Sequence, residues 1–192
     1  TSNLEYAIKF IKLDKNDEII IEKHIKSVHA INHPCILPII GYSPPDPAKK
    51  RPFSLVTKYQ KNGSLLKLIL CVFFLLLLLV FSFPLVFCFL IFFEEIPIHK
   101  MKIISGVVEG LRYLHEFKIK HQHLFLTNVL LDDDFNPCLT DISQECYSSD
   151  NLKLPPESKA FIAPEILPNN PATFSSDVFS FGMLLFTILT NQ

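Results

Sequence analysis

Hydrophobic and polar residues alternate from Tyr6 to Leu13, "YAIKFIKL", in a stretch rich in β-branched and aromatic side chains. Alternation with period two predicts a strand. The period then lengthens. In "IIIEKHIKSVHAI" the apolar residues Ile21, Ile25, Val28 and Ile31 recur at helical spacing, with Asp17 placed to cap the helix start. "HPCILPIIGY" turns at its proline and continues as an apolar strand, "SPPDPAKKRP" is a proline-rich loop, "FSLVTKYQ" is another strand, and "KNGSL" turns into a helix. Further on, "IHKMKIISGVVEGLRYLHEFK" predicts an amphipathic helix whose stripe is Ile103, Ile104, Val107, Val108, Leu111 and Leu114. "NVLLDDDFNPCLTD" predicts two short strands around an acidic turn. Residues 142–160 are polar and irregular, and "PATFSSDVFSFGMLLFTILTNQ" predicts a mostly apolar, buried helix. Strands with one helix, followed by helices with one hairpin, make an α+β pattern in two lobes.

Between the lobes the pattern disappears. Leu68 to Phe93 is a run of 26 residues without a charge. Its length suits a membrane-spanning helix, which needs about 20 apolar residues. One span would leave residues 1–67 and 94–192 on opposite sides of a bilayer, so the two lobes could not meet. A soluble helix that is hydrophobic all round needs protein on every side. The run uses only Phe, Leu, Val, Ile, Cys, Ser and Pro, all residues with codons dominated by U and C, and lacks the Ala, Gly and Thr common in membrane helices. The reading expected here is a translated pyrimidine-rich intron. The chain is therefore divided into a partial first lobe at 1–67, an apolar insertion at 68–93 and a partial second lobe at 94–192.

Net charge is −1, which argues against a nucleic-acid-binding surface. The five cysteines, Cys35, Cys71, Cys88, Cys138 and Cys146, form no paired spacing, so reduced thiols in the cytoplasm are expected. The N-terminal "TSNLEYAIKF" is not a signal peptide. His115, His121 and His123 lie close in sequence, but no cysteine or carboxylate completes a zinc-ligand spacing.

Several motifs in a fixed order carry a resemblance: "AIK" on the first strand, "HPCILPIIGY", "LVTKYQKNGSL", "GLRYLH", His121 through "NVLLD", "APE" and "DVFSFGMLL". The chain resembles the eukaryotic protein kinases, and is most similar to their tyrosine-kinase-like branch. The resemblance implies a two-lobed fold that is truncated at both ends, with the glycine-rich phosphate loop lying upstream. It also implies that ATP and Mg²⁺ are the cofactors. Lys9 then matches the strand lysine that holds phosphates, Thr57 the residue at the back of the adenine pocket, and Lys58, Tyr59 and Gln60 the main-chain hinge. Asn128 and Asp141 match the metal ligands.

Other positions depart from the family. The helix glutamate should precede apolar residues by one, four and seven positions and follow one by three. His24 fits that pattern and Glu22 does not, so Lys9 is expected to pair with Asp141 instead. The His-Arg-Asp triplet reads His121, Gln122, His123, which places His123 at the catalytic base position, and Phe125 replaces a cation two residues on. A positioned general base is worth about 100- to 10,000-fold in rate, and the lost cation removes a second electrostatic contribution. Ser143 replaces a glycine after Asp141 and Ile142, while Tyr147, Ser148 and Ser149 occupy the activation-loop equivalent. The resemblance with these departures implies a kinase-fold protein with a degraded catalytic loop, weak or absent nucleotide binding, and a scaffold or allosteric role toward protein partners or an active kinase. Two alternatives are an active Ser/Thr/Tyr kinase with atypical residues, and an interaction protein anchored in a membrane through 68–93.

Overall fold

Two antiparallel sheets of three strands each organise the chain. The first contains β1 (Tyr6–Ile11), β2 (Ile39–Ser43) and β3 (Phe53–Lys58), in the order β1-β3-β2. Its register sets Lys9 opposite Leu55 and Ala7 opposite Thr57. The alternation read from the sequence holds in β1, but its apolar face is not covered. Tyr6, Ile8 and Phe10 are all more than half exposed, while Ile11, on the face of Lys9, is buried with Ile25 and Phe53. The computed structural model describes residues 4–11, 25–26, 28–46, 48, 51–80, 86–142, 156–166 and 170–190, with the backbone alone at 73–80, 86–98 and 156–157. Asp17, Glu22, His24, Ser143, Tyr147, Ser148 and Ser149 lie outside the described residues.

The second sheet is β4 (Gly63–Ser64), β5 (Val129–Leu131) and β6 (Pro137–Leu139), in that order. Around it stand α1 (Leu65–Val80), α2 (Val86–Glu116) and α3 (Phe174–Thr190). Ile103, Val107, Leu111 and Leu114 on α2 meet Val129, Leu131 and Leu139 of the sheet and Leu184 and Ile188 of α3 in one main core. Val28, Ile31 and Ile36 of the first lobe enter the same core. A bridge between Ile36 and Leu139 joins the lobes, with Leu37 N donating to Leu139 O and Leu139 N to Cys35 O, each at 2.8 Å.

Gly106 and Gly110 allow α2 to approach this junction. A Cβ on Gly106 would lie 2.4 Å from the Pro137 ring, whereas one on Gly182 in α3 would meet nothing within 4 Å. Gly106→Ala is expected to destabilise the fold by about 1–3 kcal/mol through overpacking. Gly182→Ala is expected to stabilise it by up to about 1 kcal/mol through helix propensity. Urea denaturation of the two variants checks both signs.

Two expectations are corrected here. Val108 is 40 % exposed and does not belong to the buried stripe of α2. The C-terminal helix is buried on one face only: Val178, Phe186 and Leu189 are at least half exposed, because the described residues place nothing over that side. The apolar run falls on α1, described to Val80, and α2, described from Val86 with Pro97 within it; residues 81–85 lie outside the described residues. Leu68 and Ile69 already pack on the main core. Among the described residues no helix is long and apolar enough to cross a membrane.

Candidate active site

The loop from His121 to Asn128 is shaped from below by one buried carboxylate. Asp177 is 1 % exposed, in the first turn of α3. That turn is fixed by a reciprocal cap: Ser176 N donates to Thr173 Oγ1 at 3.1 Å and Thr173 N to Ser176 Oγ at 2.9 Å. Asp177 then accepts from His121 N and Gln122 N, each at 2.7 Å, and its Oδ2 lies 2.9 Å from His115 Nε2. Gln122 has φ +69°, a left-handed conformation unfavourable for a residue with a side chain, and the two amide bonds to Asp177 hold it there.

His121 is fully buried, and neither ring nitrogen has a hydrogen-bond partner among the described residues. Burial pushes its pKa down to about 4, against an opposing pull from Asp177. Burial likewise lowers the His123 pKa, partly offset by Asp141 and Asp177. At neutral pH both rings are uncharged. The unfolded chain takes up a proton on His121 near pH 6.5, and the folded chain only near pH 4. Stability is therefore full above about pH 6.5 and falls as the pH drops towards 4. The loss from this group is about 3 kcal/mol. Thermal melts across that range are expected to show the slope, and His121→Leu to flatten it.

His123 and Asn128 are brought together, because Asn128 Nδ2 donates to His123 O at 2.8 Å. Beside His123 is a cavity of about 20 Å³, bounded also by Gln122, Phe125, Ser158 and Phe161. It has room for about one water. Phe125 packs against the main core. Past Asn128 the β5–β6 hairpin turns through Asp132, whose carboxylate accepts from Asp134 N at 2.9 Å and from Asn136 N at 2.8 Å. The hairpin delivers Asp141, itself left-handed at φ +59°, to the first lobe. There Lys9 Nζ lies 2.5 Å from both carboxylate oxygens. This is the pair expected from the sequence. Lys9 is half exposed, so the pair adds about 1 kcal/mol or less to stability.

The remaining expected residues run from the end of β3 into the segment joining the two sheets. Thr57 pairs with Ala7 and Ile39 inside the first sheet, and Lys58 ends β3. Tyr59 N donates to Glu5 O at 3.0 Å, and Gln60 O accepts from Gly63 N at 3.1 Å. Two main-chain groups of this segment are thus engaged within the chain. Gln60 is buried, with its Oε1 unpartnered among the described residues. Ile142 is buried as an apolar plug. No group of three or more His, Cys, Asp or Glu side chains that could hold a metal is found among the described residues. Asp177 was not singled out from the sequence, although it opens the motif "DVFSFGMLL".

The family model described as protein kinase domain matches residues 1–192. The chain is 32 % identical over 183 residues to the probable LRR receptor-like serine/threonine-protein kinase At4g31250 of Arabidopsis thaliana, covering 88 % of this chain and 23 % of that protein. It is 27 % identical to the probable serine/threonine-protein kinase PBL20 of the same plant, covering all of this chain and 45 % of the relative. Over 100 residues, 48 % of this chain and 23 % of the relative, it is 38 % identical to the inactive leucine-rich repeat receptor-like protein kinase CORYNE, also of Arabidopsis thaliana. The chain thus spans less than half the length of each of these relatives.

Proposed function

We propose, from the premise that this chain belongs to the protein kinase family, that it is a member of the tyrosine-kinase-like branch whose transfer chemistry is silenced and which acts as a scaffold or allosteric partner of other proteins, active kinases included. One observation carries this reading. The loop backbone is held in shape by Asp177, yet it presents an uncharged imidazole at His123 and the half-buried ring of Phe125, which packs against the core. A phosphoryl-transfer site works by positioning and by charges aimed at the moving phosphate. His123 can accept a proton, but the uncharged ring supplies no anion where the family has a carboxylate. Phe125 supplies no donor to a phosphate oxygen.

Bound ATP would supply the phosphoryl group, and Lys9, Thr57, Lys58, Tyr59 and Gln60 are the residues that would line its site. Likeness to a relative named as inactive supports the reading over part of the chain, while the other two relatives are named as kinases. The deciding measurement is transfer of labelled γ-phosphate to a generic peptide acceptor. The wild-type chain is expected to label no faster than its Lys9→Met variant. A wild-type rate well above that variant would show a working enzyme and sink the proposal.

A further inference from the structure

The two sides of α3 differ sharply. Ser176, Asp177, Ser180, Leu184, Thr187 and Ile188 are buried on one of them. On the other, Phe174 and Phe179 are 39 % and 38 % exposed, Phe186 is 50 % exposed, and Val178 and Leu189 are 57 % and 56 % exposed. At about 100° per residue, these five side chains share an arc of about 140°, with Gly182 near its middle. A Cβ at Gly182 would meet nothing within 4 Å, so the face is low at its centre. The one charge on α3, Asp177, is buried and engaged with His121 N and Gln122 N. The exposed parts of the five side chains amount to roughly 400–500 Å², taking an aromatic side chain as about 150–250 Å² and Val and Leu as somewhat less. With the exposed Ser175, Gly182 and Thr190 around them, two such faces would bury roughly 1,000 Å², the area at which a specific interface begins.

We propose that a second copy of the chain docks on this face, α3 against α3, antiparallel across a two-fold axis beside Gly182. Such an axis sets a residue four positions before it against one four positions after it. Val178 then meets Phe186 of the second copy, and Phe186 meets Val178 of the second copy. A smaller side chain faces a larger one at both contacts, and Phe179 and Leu189 flank them. Gly182 lets the two backbones approach at the crossing. The pairing buries no charge, whereas a charged partner would lose hydration here and gain no counter-ion. The face points away from Asp177, so the loop from His121 to Asn128 is left open to other proteins.

Sedimentation equilibrium of the 192-residue chain between about 1 and 100 µM tests this. The mass is expected to rise towards twice 22.0 kDa and stop there. Phe186→Lys buries an ammonium in each half of the contact and is expected to weaken dimerisation by about 100-fold or more. Val108→Lys, at an exposed position on α2, is expected to change it by less than about twofold. The melting temperature of each variant confirms that it is folded. In a Cys71→Ser background, which removes the exposed thiol on α1, Gly182→Cys is expected to join two copies by a disulfide on mild oxidation. A folded chain that stays at 22.0 kDa throughout overturns the proposal. So does a dimer that Phe186→Lys leaves intact, or one that Gly182→Cys does not cross-link. A mass that climbs past two copies marks a head-to-tail contact and overturns it as well.

Discussion

Replacing His123 by Asp and Phe125 by Lys together is expected to raise phosphoryl transfer by roughly 100- to 10,000-fold over the wild-type chain. On the proposed reading, the first change puts a carboxylate where a substrate hydroxyl would lose its proton. The second would put an ammonium where charge develops on the transferring group. The surrounding frame is already present: Asn128 is tied to the loop at His123 O, and the backbone at 121 and 122 is fixed by Asp177. The single variants are expected to recover less than their product suggests, because groups that act on one transition state are not additive. Labelling of a peptide by γ-phosphate measures the gain, with Lys9→Met in the same background as the zero. If the double variant is as slow as the wild type, the defect lies elsewhere than at 123 and 125. If the wild type is as fast as the double variant, the enzyme was never silenced.

Asp177→Ala is expected to give the largest loss of stability, about 4 kcal/mol. Two amide donors, His121 N and Gln122 N, lose the Asp177 carboxylate as acceptor in a place where Asp177 is 1 % exposed and His121 fully buried. Each buried donor left unsatisfied costs about 1–3 kcal/mol, and the imidazole of His115 loses its partner as well. For a chain of this size the melting temperature is expected to fall by about 10 °C. Asp177→Asn keeps one acceptor oxygen and is expected to lose about half as much. A thermal melt of the three proteins checks the order, and an Asp177→Ala variant as stable as the wild type would contradict the account of the loop.

Period and motif made much of this fold legible. The strands Tyr6–Ile11 and Phe53–Lys58, and the buried positions Ile103, Val107, Leu111 and Leu114, follow directly from where apolar residues recur. The apolar run was not legible as two helices, because a stretch that is hydrophobic on every side has no period to read. Its continuity with α1 and α2 comes from backbone geometry alone. Composition shows how apolar α3 is but not what covers it, so the exposure of Phe186 and Leu189 could not be read. At the site, family likeness brought Lys9 and Asp141 together across 132 positions. The role of Asp177 is not legible in the sequence for a physical reason. Its partners are mainly peptide N–H groups, which every residue but proline carries, so no spacing of side chains marks them.

The left-handed turn at Gln122 is maintained by a carboxylate that touches no reacting group. Architecture and reactivity are therefore written in different residues here. The side chains at 122 and 123 can be exchanged for others without redrawing the peptide path that Asp177 holds. A partner that recognises the contour of this loop would not distinguish an active version of the chain from a silent one.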